Sequence, residues 1–306
     1  MNTADLQYNG IIKEIIENGK WDKDVRAKWA DGSPAPTKSI LNVSMTFDNG
    51  SDIPLITSKR VAVKSALVEM FWIWLKKSNV VQYLRDMGST IWDEWEKPDG
   101  TIGRAYGWQL ANKRRKVKAD ELFFEMWNNG EISSAIPIFE KDDKPFTHVM
   151  LDQVDYLLYI LKKNPYSRRI KTTLWCVEDL DDMALEPCVY ETHWQLWDDK
   201  LHLTVNIRSN DMALGNPFNI YQYAILHRMI AQVTGYKVGT IHFNIDNAHI
   251  YDRHLEALEG QLEMPTFEVP DIWINPEVTS FYKFTVDDVK VIDYKHGETI
   301  RMEVAI

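Results

Sequence analysis

Only two cysteines, Cys176 and Cys188, occur among the 306 residues, too few for a disulfide framework. Long apolar runs are missing too: none approaches the roughly 18 residues a bilayer span needs. The Met1 end lacks the charged-then-apolar layout of a signal peptide, so the expected compartment is the reducing cytoplasm. Basic excess is also absent. With 35 Lys and Arg against 45 Asp and Glu, the formal charge is −10. Such a surface argues against general affinity for DNA or for an acidic membrane, because a phosphate lattice would be repelled. An anionic small substrate would need a local basic pocket. Internal repeats and low-complexity tracts are lacking, and Asp252, His254 and Glu256 do not have tight metal-ligand spacing, so no metal is expected.

What is present is ordinary for a globular enzyme: 45% hydrophobic and 26% charged residues, enough for one continuous core over residues 1–306. Ile11, Ile12, Ile15 and Ile16, followed by Gly19, predict an N-terminal helix over Asn9 to Gly19. The Asp31 to Pro36 run is loop chemistry, and the alternation from Val43 to Phe47 predicts a strand. Val61 to Lys76 reads as a buried helix. Lys113 to Lys118 is a basic run expected on a solvated loop, and the mixed segment at about 118–150 reads as an insertion. A helix over Leu151 to Leu161, a strand over Thr172 to Cys176, and a Tyr190 to Ile207 hairpin turning at Asp198-Asp199 follow. A long helix covers Pro217 to Gly235, with the glycine as stop signal. Strands and buried helices mix without strict alternation, which predicts an α/β (α+β) fold around a large mixed β-sheet.

Several residues could carry chemistry. Glu69 lies inside an apolar helix, where an unpaired carboxylate is costly to bury; it either turns to solvent, pairs with a neighbour, or serves a site. A lone cysteine is commonly a small buried hydrophobe. Yet Arg168, Arg169 and Arg208, if they converge near Cys188, would bind a phosphate and stabilise a thiolate. Ser209, Asn210 and Asp211, then Gly215 to Asn219, place hydrogen-bonding groups at a strand–helix junction that can receive an anion. Asn216 before Pro217 is equally good helix-capping chemistry. His249 and Tyr251 are two apart, and on a strand they share one side.

The segments IWDEW (Ile91 to Trp95), SRR (Ser167 to Arg169), EPCV (Glu186 to Val189), RSNDMALGNPFN (Arg208 to Asn219), AHIY (Ala248 to Tyr251) and the terminal RMEVAI carry a resemblance. From about Lys20 to Ile306, apart from Glu121 to Thr147, the chain resembles the thymidylate synthase family. The resemblance implies a sheet-mediated homodimer that reductively methylates dUMP with 5,10-methylenetetrahydrofolate. It makes Cys188 the nucleophile on C6 of uracil, Glu69 the buried acid–base group acting through water, and Tyr106 the tyrosine associated with removal of the C5 proton. Arg26, Arg168, Arg169 and Arg208 become phosphate ligands, the Arg168–Arg169 pair donated by the partner subunit, with Ser209 and Asn210 beside the substrate. Asn219 would read the O4 and N3 edge of the base, and His249 and Tyr251 would hold the 3′-hydroxyl. Asp211 would contact the pterin, and Ile91, Trp92, Trp95, Leu214, Gly215, Phe218 and Ala305 would border the folate. A thiolate at C6 turns the ring into an enolate, so a depressed cysteine pKa is useful.

Some positions depart from the family's commonest pattern. Val189 stands where many members have His, Ile207 where Gln is frequent, Asn210 where Cys is frequent, and Asp246-Asn247 where Gly-Asp is usual. A Pro-containing loop follows Arg26. Two rival readings remain on sequence: a dUMP hydroxymethylase, in which water captures the methylene, and a non-catalytic folate- or RNA-binding relative. Trp92 and the Val304-Ala305-Ile306 tail favour exclusion of water. Cys188, Glu69, Tyr106 and Asn219 together disfavour a non-catalytic protein.

Overall fold

A computed structural model of the chain describes residues 2–139 and 146–306; residues 140–145 of the expected insertion lie outside the described residues, as does Met1. In chain order the elements begin with α1 (Thr3–Asn18), β1 (Lys20–Trp21), β2 (Thr37–Asp48) and α2 (Val63–Met70), which runs on as a wider π-helical turn over Phe71–Leu75. Then come α3 (Gln82–Asp86), α4 (Gly107–Asn112), β3 (Arg115–Lys118), α5 (Glu121–Asn128), β4 (Ala135–Ile138), β5 (His148–Leu151) and α6 (Gln153–Lys163). The second half holds β6 (Lys171–Thr173), β7 (Val189–Trp197), β8 (Lys200–Ile207), β9 (Asn210–Asp211), α7 (Gly215–Thr234), β10 (Lys237–Tyr251), α8 (Leu255–Leu262), β11 (Asp271–Ile274) and β12 (Val289–Ile292). No helix among the described residues is long and apolar enough to cross a membrane.

The main sheet has the order β1-β2-β10-β8-β7-β6, with β9 alongside the last residues of β10. β10 runs parallel to β8 and antiparallel to β2, and the other main pairings are antiparallel, so the sheet is mixed. Phe47, Phe243, Leu203, Val205 and Trp194 are buried on its inner face. That face is covered by α7, which packs also on α2. α7 is buried through Ile220, Ala224, Ile225, Leu226 and Met229, the pattern of a helix apolar nearly all round. It stops at Gly235 in the left-handed region (φ 78°). The outer face is polar. Thr46, His242, Asn244, Asn206, Glu191 and Lys171 form one hydrogen-bonded ladder across five strands, with contacts of 2.6–2.9 Å.

The Lys113 to Lys118 run is not a solvated loop. Arg115–Lys118 is strand β3, paired to β5 in a small antiparallel sheet with β4, while Lys113 is held at 2.6 Å by Asp179. Alternation with one inward residue, Val117, is the signal that the charge had obscured. This small sheet and α5 are tied to the main body by a buried ionic cluster. Lys77 meets Asp152 at 2.5 Å and Asp155 at 3.9 Å, and all three side chains are at most 9% exposed. Ser133 and Tyr282 donate hydroxyls to Asp155. Burial, then the Asp155 charge, pushes the Asp152 carboxyl up to about 6 against the pull of Lys77.

Removing one partner from a buried ion cluster leaves an uncompensated charge. Lys77→Ala is therefore expected to destabilise the protein by about 3–5 kcal/mol, measured by urea unfolding at fixed protein concentration. A loss under 1 kcal/mol would mean that solvent reaches the cluster freely.

Candidate active site

Cys188 lies immediately before β7, and Arg208 immediately after β8. The Arg208 backbone N–H donates to the Cys188 carbonyl at 2.9 Å. Its guanidinium folds back over the cysteine loop, donating to the Pro187 and Glu186 carbonyls at 3.0 and 2.8 Å and lying 5.6 Å from the Trp175 ring centre. The cation thus clamps the segment that carries the thiol. Cys188 is half-buried, and its thiol is pushed above the ordinary value, chiefly by burial, while the Arg208 charge pulls it down and Asp211 and Glu69 oppose that pull. In the free protein desolvation outweighs the pull of Arg208.

Tyr106 is bonded to this loop, its hydroxyl accepting the Cys188 backbone N–H at 3.1 Å. Its backbone is strained, with φ 45° and ψ −106°, a region a bulky residue holds only under constraint. The constraint is the next residue. A Cβ on Gly107 would come within 2.2 Å of the Ser78 carbonyl oxygen, so α4 can pack here only on glycine.

Glu69 faces α7 from α2. Its carboxylate accepts Trp92 Nε1–H at 2.5 Å on one oxygen and the Gln222 amide on the other. Burial raises its pKa despite both hydrogen bonds. The carboxylate is paired with neighbours, as a bland reading requires, and it also lines a cavity of about 40 Å³ with Ile73, Tyr106, Val189, Asn219 and Gln222. That volume holds one or two waters. Trp92 packs between Trp95 and Tyr106, with ring centres 5.4 and 5.3 Å away.

The junction of β9 and α7 differs from expectation. Asn216 does not cap the helix, which starts one residue earlier, at Gly215; Pro217 is accommodated in the first turn, where backbone N–H groups lack helical partners anyway. Instead Asn216 is fully buried and donates to Asn210 Oδ1 at 2.8 Å, and Asn210 donates to Asn219 Oδ1 at 2.9 Å. Asn210, expected beside the substrate, is 2% exposed and sits behind Asn219. Ser209, Leu214, Gly215, Phe218 and Asn219 are half-buried at the cleft.

On β10, His249 is held by Asn247 Oδ1 at 3.1 Å, its ring edge-on to Tyr251 at 5.4 Å. Burial lowers the His249 pKa. The Tyr251 hydroxyl is pushed up to about 12, first by burial and then by Asp211 and Cys188, with Arg26 opposing. Asp211 accepts the Ala213 N–H at 2.8 Å. Arg26 is exposed, on a loop that meets the C-terminal tail: Lys28 and Ile306 exchange backbone hydrogen bonds of 2.7 and 2.9 Å. Arg253 joins Asp31 of that loop to Glu303 of the tail at 2.7 and 3.0 Å, which positions Ala305. Ile91 and Trp95 are half-buried nearby in the chain.

Arg168 and Arg169 are not brought to this cleft. Both are exposed just before β6, where Ile170 accepts from Trp194 of β7, roughly 15–20 Å along that strand from Cys188. Residues that sequence reasoning passed over include Gln222, Met45 and Trp175, and Asn216 was read only as a cap or anion-site residue. One signal was available: Asn216, Asn219 and Gln222 recur at intervals of three in the first half of a largely apolar helix. A larger open cavity of about 590 Å³, lined by Asp48, Arg228, Lys200 and Lys237, lies at the opposite end of the sheet and holds none of these groups. Among the described residues no group of three or more His, Cys, Asp or Glu side chains could hold a metal ion.

A family model described as thymidylate synthase matches residues 6–306. Thymidylate synthase of Bacillus phage phi3T and thymidylate synthase 1 of Bacillus subtilis (strain 168) are each 52% identical over 309 aligned positions, covering 100% of both chains. The solved structure of a thermostable thymidylate synthase A from Bacillus subtilis superposes with a TM-score of 0.85 at 51% identity, covering 99% of each chain.

The clamp makes a prediction about thiol reactivity. Because Arg208 is the cation that pulls the Cys188 thiol down, Arg208→Met should move the pH midpoint of Cys188 alkylation by iodoacetamide upward, and Arg208→Lys should move it less. A midpoint that stays put in Arg208→Met would show that the thiol does not sense the guanidinium.

Proposed function

The chain belongs to the thymidylate synthase family and is a folate-dependent methyltransferase that methylates dUMP, and we propose that Cys188 opens its reaction by adding, as thiolate, to C6 of the uracil. The observation that carries this reading is that the Cys188 loop is clamped by Arg208 and bonded to Tyr106, which with Glu69, Asn219 and the adjoining Val189 lines a small cavity. Addition at C6 makes C5 an enolate carbon, which attacks the methylene of 5,10-methylenetetrahydrofolate. Glu69, its pKa raised by burial, exchanges protons through water with O4 and with the departing folate nitrogen. Tyr106, already hydrogen-bonded to the Cys188 backbone, assists loss of the C5 proton. Hydride from the resulting tetrahydrofolate completes the methyl group, the Cys188 bond at C6 breaks, and dTMP and dihydrofolate leave.

Binding roles follow the same geometry. Arg208 and Arg26 take the phosphate with Ser209, His249 and Tyr251 take the 3′-hydroxyl, and Asn219 reads the base. The folate lies among Ile91, Trp92, Trp95, Asp211, Leu214, Gly215, Phe218 and the Ala305 tail. Capture of the methylene by water, as in a hydroxymethylase, is disfavoured by the buried Trp92 and by the tail bonded to the Arg26 loop. Arg168 and Arg169 are exposed and distant from their own cleft, which supports their donation to a partner's site in a dimer packed through the polar ladder of the outer sheet face. The whole chain is read as one catalytic unit, with the segment at about 118–150 inserted beside α6.

Cys188→Ala should lower kcat by at least about 1,000-fold while dUMP binding, read by calorimetry, persists. With 5-fluoro-dUMP and methylenetetrahydrofolate, wild type should form a stable adduct on the Cys188 peptide, because fluorine cannot leave as a proton does. An adduct mapped to another peptide would overturn the nucleophile, and a product carrying one extra oxygen would show hydroxymethylation.

Assembly has its own test. An Arg168→Ala, Arg169→Ala double mutant and a Cys188→Ala mutant should each be nearly inactive, and mixing them should recover activity, since one of the two sites in the heterodimer has both intact halves. No recovery after demonstrated subunit exchange would show that the arginines are not shared.

A further inference from the structure

An asparagine alone cannot choose between uracil and cytosine. Turned by 180° about its last side-chain bond, it presents a carbonyl where its NH₂ was and pairs with the cytosine edge equally well. If Asn219 reads the base, the assignment on which this inference rests, something must forbid that turn. We propose that the buried amides of Asn210 and Asn216, ending on the Met45 sulfur, form a relay that fixes the polarity of Asn219 and are positioning residues for base choice.

The chain of contacts is directional. Asn216 Nδ2 donates to Asn210 Oδ1 at 2.8 Å and toward Met45 Sδ at 3.6 Å, and a thioether can only accept. Asn210 is thereby left with its NH₂ toward Asn219, whose Oδ1 receives it at 2.9 Å. A carbonyl oxygen has two lone pairs, so Asn219 Oδ1 can also accept from uracil N3–H. Its NH₂, which makes no hydrogen bond among the described residues, remains for O4.

Reversing the relay is unfavourable at its far end. As it stands, the one unpaired atom there is the Asn216 carbonyl oxygen, buried without a donor. In the reversed arrangement that oxygen would be paired, but it would turn an acceptor toward the Met45 sulfur and bury both Asn216 N–H groups without partners. Met45 and Asn216 are each 0% exposed, so water cannot repair the loss. Orphaned buried N–H groups are rarer and costlier than an under-used carbonyl. The polarity is therefore set about two side chains behind the residue that touches the base.

The test compares kcat/KM for dUMP and dCMP in four proteins: wild type, Asn216→Leu, Asn210→Asp and Asn219→Asp, with thermal unfolding to confirm folding. Asn216→Leu removes the anchor and should lower the dUMP-over-dCMP ratio tenfold or more. Asn210→Asp supplies an acceptor-only group that turns the Asn219 NH₂ toward itself, and should shift preference toward dCMP with Asn219 untouched. Should Asn216→Leu not fold, Asn210→Asp alone decides. A general loss that leaves the ratio within twofold of wild type in the folded relay variants, while Asn219→Asp still alters it, would overturn the relay. An unchanged ratio in Asn219→Asp would instead remove the assignment of Asn219 to the base, and the relay's role with it.

Discussion

Helix α7 is enclosed by the sheet on one side and α2 on another, and it enters this enclosure carrying amides. Asn216, Asn219 and Gln222 fall on one stripe of it. A buried amide left unpaired costs about 1–3 kcal/mol, so buried Asn216 and Gln222, with half-buried Asn219 between them, compel other elements to come to meet them. β9 supplies Asn210, β2 supplies the Met45 sulfur, and α2 supplies the Ala66 carbonyl and the Glu69 carboxylate. The cleft is what results from these pairings. Glu69 illustrates the point, since an unaccompanied carboxylate at its position would be expelled, and its hydrogen bonds from Gln222 and Trp92 keep it in place with a raised pKa.

Rigidity on the other wall comes from strain. Tyr106 occupies a backbone region that a free tyrosine would leave, and it stays because Gly107 is pressed on the Ser78 backbone and because its own ring is wedged against Trp92. Its hydroxyl is therefore presented to the Cys188 loop without freedom to swing. The loop is held again by Arg208, whose guanidinium donates to two successive carbonyls.

Much of this was legible in the sequence, and the reasons for the gaps are specific. The hairpin was readable because Asp198 sits in the left-handed region at a two-residue turn (φ 54°), and α7 because Gly235 ends it. β2 runs from Thr37, well before the expected Val43, because Asn42 at φ 57° breaks the alternation on which a strand reading depends. α1 starts at Thr3 rather than Asn9, its first turn being polar and set by the Asn2 side chain, which accepts from Asp5 N–H. The widened turn at Phe71–Leu75 has no periodic signature. The direction of the thiol's shift could not be read at all. It depends on how much solvent the Glu186 to Val189 loop excludes, a property of the packed chain rather than of the residues named in it.

Charge ties these features to assembly. In the free protein Cys188 feels burial, Asp211 and Glu69 pushing its thiol up, and Arg208 pulling it down. On the proposed assignment a nucleotide phosphate enters beside Arg208, and its negative charge adds to the upward push unless further cations accompany it. Arg26 lies within electrostatic reach of the cleft, since its charge is felt at Tyr251, but Arg168 and Arg169 of the same chain lie at the far end of β7. On that assignment a lone subunit would bind its substrate's charge at the expense of the thiolate. Two arginines arriving from a partner would offset the phosphate and leave Arg208 to act on the thiol. On this reading the dimer is an electrostatic requirement of the nucleophile, and the net charge of −10 makes that local cationic contribution more necessary, because the chain as a whole carries more anions than cations.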